Sequence, residues 1–154
     1  MAHATADIGT TNYEVSLVAG HHSVKADEGF EAGGKDLGPA PHELLCAALG
    51  ACTLMTMQLY AKRKGWTLDN LSVRISYHKG NADQRDRFDR IIELGDVTPE
   101  QRDGLLKIAQ RCPVDLLLER GADVTVTMTE TALSAPHADC MHAQEIDDLC
   151  REAG

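Results

Sequence analysis

The segment Pro41-His42-Glu43-Leu44-Leu45-Cys46-Ala47-Ala48-Leu49-Gly50-Ala51-Cys52-Thr53 opens the part of the chain where the hydrophobic period becomes helical. From His42 to Lys64, the residues Leu45, Leu49, Cys52, Thr56 and Leu59 recur three or four positions apart, with Leu44, Ala48, Met55 and Met57 filling the flanks. A helix apolar over most of its girth belongs in the middle of a fold, so this one is predicted to be central and buried. Its ends are marked. Pro39 and Pro41 close a Gly-rich loop before it, and Lys62-Arg63-Lys64 then Gly65 suits a C-terminus, where cations meet the negative end of the helix dipole.

On both sides of this helix the period falls to two. Tyr13-Glu14-Val15-Ser16-Leu17-Val18 reads as a strand with one wet face, and residues 24–30 as a weaker one joined to it through Gly20-His21-His22. Residues 71–77 and 88–94 flank a charged turn and predict a hairpin. Thr98-Pro99-Glu100-Gln101 supplies an N-cap, a first-position proline and a third-position Gln, starting a second helix that Pro113 ends after about Cys112. Residues 114–119 suggest a short further helix and residues 122–128 a last strand closing the core. The sum is α+β, with antiparallel sheets packed on two central helices. A single domain is expected over residues 1–134, with residues 135–154 as a tail or short appended helix.

The chain's 154 residues suit one domain. Fifteen basic against twenty-four acidic residues give a net charge of −9, which argues against a nucleic-acid partner or an anionic membrane surface. No apolar run is expected to reach the ~20 residues that span a bilayer. The opening residues MAHATADIGTTNYE lack both a basic and an apolar leader region, so a cytoplasmic location is expected.

Five cysteines stand at 46, 52, 112, 140 and 150. In a cytoplasmic protein they point to catalysis, metal binding or packing rather than to a disulfide framework. Cys52 lies on the apolar face of the first helix and Cys112 just before Pro113. Periodicity alone reads both as small core side chains.

The wording around them says more. Pro41 to Thr53, quoted above, resembles the helix of the OsmC/Ohr family, with its Pro-x-Glu-Leu-Leu opening and small-residue-Cys centre. Ala109-Gln110-Arg111-Cys112-Pro113-Val114 resembles the same family's Cys-Pro-Val signature. Tyr60-Ala61-Lys62-Arg63-Lys64-Gly65-Trp66 and Gly95-Asp96-Val97-Thr98-Pro99-Glu100-Gln101-Arg102 match its spacing between the two. The resemblance spans about residues 12 to 130. It implies an intertwined homodimer with sites at the subunit interface, and a cysteine-based peroxidase that reduces organic hydroperoxides. By position, Cys52 is then the attacking cysteine, Cys112 the resolving one and Glu43 the helix-start carboxylate. The implied reductant is a small dithiol or a lipoylated protein, and no cofactor or metal is implied.

Two departures stand out. The family's peroxidases take a cation from an arginine in the N-terminal loop, whereas the first arginine here is Arg63, leaving Lys25 or Lys35 as substitutes. Asp115 also follows Val114 where many relatives carry His. One alternative is therefore a non-catalytic member binding a small hydrophobic ligand at the dimer interface. Another is metal binding by His137, Cys140, His142 and Cys150 in the tail. Glu43 also has a plain helix-start role, since a carboxylate in the first turn is favourable in itself.

Overall fold

The structure, a computed structural model of the chain, describes residues 2–133 and 142–153. These form two compact units, residues 2–44 with 123–133 and residues 45–122 with 142–153.

The first unit is a three-stranded antiparallel sheet of β1 (Ala4–Ile8), β2 (Val15–Ala19) and β3 (His22–Ala26), in that order. Residues β2 and β3 pair with Ala19 opposite His22, so only Gly20 and His21 make the turn, and Gly20 takes the positive φ of 60° that such tight turns require. Next comes the buried Asp27, whose carboxylate accepts from the backbone N–H groups of Glu28, Lys35 and Leu37 at 2.9, 3.0 and 3.3 Å. This gathers the loop around a short 3-10 turn at Phe30–Ala32. A Cβ at Gly38 would stand 2.1 Å from the Lys25 carbonyl oxygen, which is why the crowded loop carries glycine there.

The second unit holds most of α1 (Pro41–Arg63), the hairpin of β4 (Ser72–His78) and β5 (Arg87–Glu93), α2 (Pro99–Ala109), α3 (Pro113–Arg120) and α4 (His142–Glu152). The hairpin pairs Val73 with Ile92, Ile75 with Arg90 and Tyr77 with Phe88, and α1 lies on it where Gly50 leaves room. A Cβ on Gly50 would meet Ile75 at 3.5 Å. Met57, Tyr60 and Ala61 of α1 pack with Leu105, Ile108 and Ala109 of α2 and with Ile146 and Cys150 of α4. Each large apolar side chain buried there contributes ~1.5–3 kcal/mol.

The α+β class and its antiparallel sheets match the expectation, and so does the capping box of Thr98 and Gln101. Other expectations are corrected. Strand β1, made of small residues, carries no strong strand signal and was not foreseen. Residues 122–128 form no strand: their alternation is present, but Val124, Val126 and Met128 are 88, 87 and 91 % exposed, with no neighbouring strand to pair with among the described residues. Helix α2 ends at Ala109, because Pro113 favours an extended residue before it, and Cys112 accordingly has φ −66° and ψ 145°. Finally, α1 is by length and composition apolar enough to cross a membrane, contrary to the expectation that no run would be. Its mixed small and polar residues hid that length, and Leu49, Cys52, Thr53, Thr56, Met57, Tyr60 and Ala61 on it are buried within the chain.

Candidate thiol site

Within the second unit the chain brings together two cysteines sixty positions apart. Cys52 lies in the middle of α1 and Cys112 is the N-cap of α3; they are 2 % and 0 % exposed. With Leu49 they form a small core, walled by Ile75, Phe88, Val114 and Leu118. That wall is apolar, so a group entering it loses water and any charge there must be met by hydrogen bonds.

Both sulfurs are so met. The Val114 backbone N–H donates to Cys52 Sγ at 3.3 Å, and Thr53 Oγ1 lies 3.7 Å from Cys112 Sγ. The two thiols also interact directly, and that interaction leads their ionisation. Hydrogen bonding from Cys52 draws Cys112 down to about 6, against the cost of burial and helped by the Asp115 backbone N–H and the Thr53 hydroxyl. The same interaction, with burial, pushes Cys52 up. The first negative charge of the pair therefore rests on Cys112, at the positive end of α3.

Behind the pair stands Arg90 on β5. It donates to Thr53 Oγ1 at 3.3 Å and to the Ala109 carbonyl at 2.8 Å, and forms a 2.7 Å ion pair with Asp115, both side chains being largely buried. Arg90 and Asp115 also line a cleft of about 770 Å³ together with Tyr60, Lys107, Gln110 and Arg111.

The remaining predicted positions fall elsewhere. Glu43 belongs to the first unit, where its carboxylate accepts from the Ala40 backbone N–H at 2.9 Å, half of a capping box at the start of α1. Lys25 pairs with Glu14, and Lys35 closes the loop held by Asp27. In the tail, His137 and Cys140 lie outside the described residues. Cys150 is buried, its thiol directed at the Thr56 carbonyl at 3.9 Å, and among the described residues no cluster of three metal-ligating side chains occurs.

Arg90, Thr53 and the pairing of Asp115 were missed from sequence. One signal was available. Along β5 the inward row runs Phe88, Arg90, Ile92, and an arginine in an apolar row requires a buried acceptor.

The fold and site define a class: an α+β protein whose long central helix carries one buried cysteine against a second at a helix start. A family model described as OsmC-like protein matches residues 33–127. The chain belongs to that family. Among solved structures, it is similar to an osmotic stress induced and detoxification response protein of Psychrobacter arcticus (15 % identity, 75 % of this chain and 87 % of that one, TM-score 0.65). An OsmC-like protein of Mycoplasma pneumoniae matches at 19 % identity, 77 and 87 % coverage and TM-score 0.62. The organic hydroperoxide resistance protein OhrB of Bacillus subtilis matches at 20 % identity, 75 and 88 % coverage and TM-score 0.54. No curated protein matches the sequence.

Proposed function

We propose that the protein is a thiol-dependent peroxidase that reduces organic hydroperoxides through Cys52 and Cys112, working as a homodimer in the cytoplasm. The observation that carries this reading is the contact of the two thiols in an apolar niche of an OsmC-like fold. A thiolate of the pair attacks the peroxide oxygen: an S–O bond forms, the O–O bond breaks and the alkoxide leaves as alcohol after taking a proton. The other thiol then condenses with the sulfenic acid, forming S–S and releasing water. A dithiol or lipoylated protein returns the disulfide to two thiols and is itself oxidised. Attack is assigned to Cys52 and resolution to Cys112, one proton passing from the Cys52 to the Cys112 sulfur so that the charge lies on Cys52, to which the Val114 N–H donates. Leu49, Ile75, Phe88 and Leu118 favour an alkyl over a bare hydrogen peroxide. The homodimer is supported by the exposed, alternating Val124, Val126 and Met128, a strand pattern without a partner among the described residues.

The test is mass spectrometry of the reduced protein after one equivalent of cumene hydroperoxide. A Cys52–Cys112 disulfide is expected. The burial of both sulfurs favours a second reading, a non-catalytic scaffold binding a hydrophobic ligand, and two untouched thiols would overturn the first.

A further inference from the structure

One guanidinium reaches three elements around the thiol pair. Arg90 Nη1 donates to Thr53 on α1 and to the last carbonyl of α2, at Ala109, while Nη2 binds Asp115 in the first turn of α3. The first of these segments carries Cys52. The other two lie immediately before and after Cys112.

We propose that Arg90 is the positioning residue of the Cys52/Cys112 pair: it clamps the turn that carries Cys112 and directs the Thr53 hydroxyl onto the Cys112 sulfur. The inference rests on the thiol reading of the site and adds the cation that the N-terminal loop does not supply as arginine.

The chemistry of the hydroxyl makes the link. Thr53 has one proton and two lone pairs. Arg90 occupies one lone pair, and the proton has two acceptors in range, the Leu49 carbonyl at 2.8 Å and the Cys112 sulfur at 3.7 Å. With Cys112 protonated, the hydroxyl stays on Leu49 and receives the S–H. With Cys112 ionised, the hydroxyl turns to the sulfur, and a cation bonded to its oxygen makes it a stronger donor. Arg90 acts a second way, by neutralising Asp115. Without it that carboxylate would oppose a negative sulfur three residues away. A lysine offers a point charge but not the planar fork that holds three partners at once.

Among the described residues, each element around the pair contributes a distinct group. Arg90 comes from β5 and Asp115 from α3; α1 presents Cys52 and Thr53, β4 presents Ile75, and α2 presents the Ala109 carbonyl. The two charged groups therefore make opposite predictions.

The test titrates thiolate absorbance in the full-length protein without peroxide, comparing it with Arg90→Met, Arg90→Lys and Asp115→Asn. Arg90→Met is expected to raise the midpoint of the first ionisation by about one pH unit, and Arg90→Lys to recover part of that shift. Asp115→Asn is expected to lower it, because a negative charge is lost and Arg90 is left unopposed. A purely structural role would not shift the two variants in opposite directions. Midpoints that stay at the wild-type value, or move together, overturn the proposal. Should Arg90→Met fail to fold, Asp115→Asn decides alone: no downward shift overturns it. Peroxide turnover by the wild type is scored separately, so opposed shifts without turnover retire the peroxidase and keep Arg90, whereas turnover without shifts does the reverse.

Discussion

The backbone N–H of Val114 donates to the sulfur of Cys52 at 3.3 Å across 62 positions of sequence, tying the first turn of α3 to the middle of α1. Each sulfur of the pair thus has a donor of its own, and a single proton between them decides which carries charge. Cys52→Ala removes the leading cause that holds Cys112 low, leaving the Asp115 N–H and the Thr53 hydroxyl to work against burial and the Asp115 charge. The ionisation of Cys112 is expected to climb from about 6 toward the ordinary thiol range. Cys112→Ala should move Cys52 the other way, since the same interaction raises it. The pH dependence of thiolate absorbance in the two variants checks both signs.

Removing the resolving thiol should stop the cycle halfway. In Cys112→Ser one equivalent of organic hydroperoxide is expected to leave a sulfenic acid on Cys52, seen as a dimedone adduct by mass. The wild type should show a disulfide and almost no adduct. An adduct confined to Cys112 in the Cys52→Ser protein, at the wild-type rate, would reverse the assigned roles.

Val126 and Met128 give the proposed dimer an accessible test. Placing Asp at both positions puts two charges on a face that is exposed in the single chain, so folding should be unaffected. Light scattering is expected to show a dimer for the wild type and a monomer for the variant.

Asp27 lends the first unit a pH dependence. Burial pushes its carboxyl up, but the backbone N–H groups of Lys35, Glu28 and Leu37 outweigh that and hold it below the ordinary value. A carboxylate lowered on folding stabilises the protein above its unfolded value of ~3.9, and the contribution disappears as pH falls through the lowered one. Asp27→Asn should therefore melt lower than wild type at neutral pH, with the gap closing in acid as the pH falls through the lowered value. Thermal melts across that range check it.

Leu105 is fully buried between α1 and α4, so Leu105→Ala removes methylenes that the surroundings do not refill. A loss of ~2–5 kcal/mol is expected in urea unfolding.

The fold was legible where a local signal and a tertiary partner agree. The period of α1, the alternation of β4 and β5 and the Thr98 capping box were all visible because each is written in one continuous stretch of the chain. Residues 122–128 show the converse. Their alternation is a strand signal, but a strand also needs an edge to pair with, and that requirement is not local. The thiol pair was legible only through two family signatures. Arg90 was hidden because its partners, Thr53, Ala109 and Asp115, come from three separate elements and meet only in the folded chain.

The placement of Cys112 between two helices has a mechanical consequence. A bond from it to Cys52 would enclose β4, β5 and α2 in a covalent ring of about sixty residues, the kind of closure that withholds roughly 4 kcal/mol of entropy from the unfolded chain. A molecule that has just met an oxidant would then resist unfolding and proteolysis better than one that has not, and would surrender that resistance when reduced. Its lifetime would carry a short record of the peroxide it had encountered.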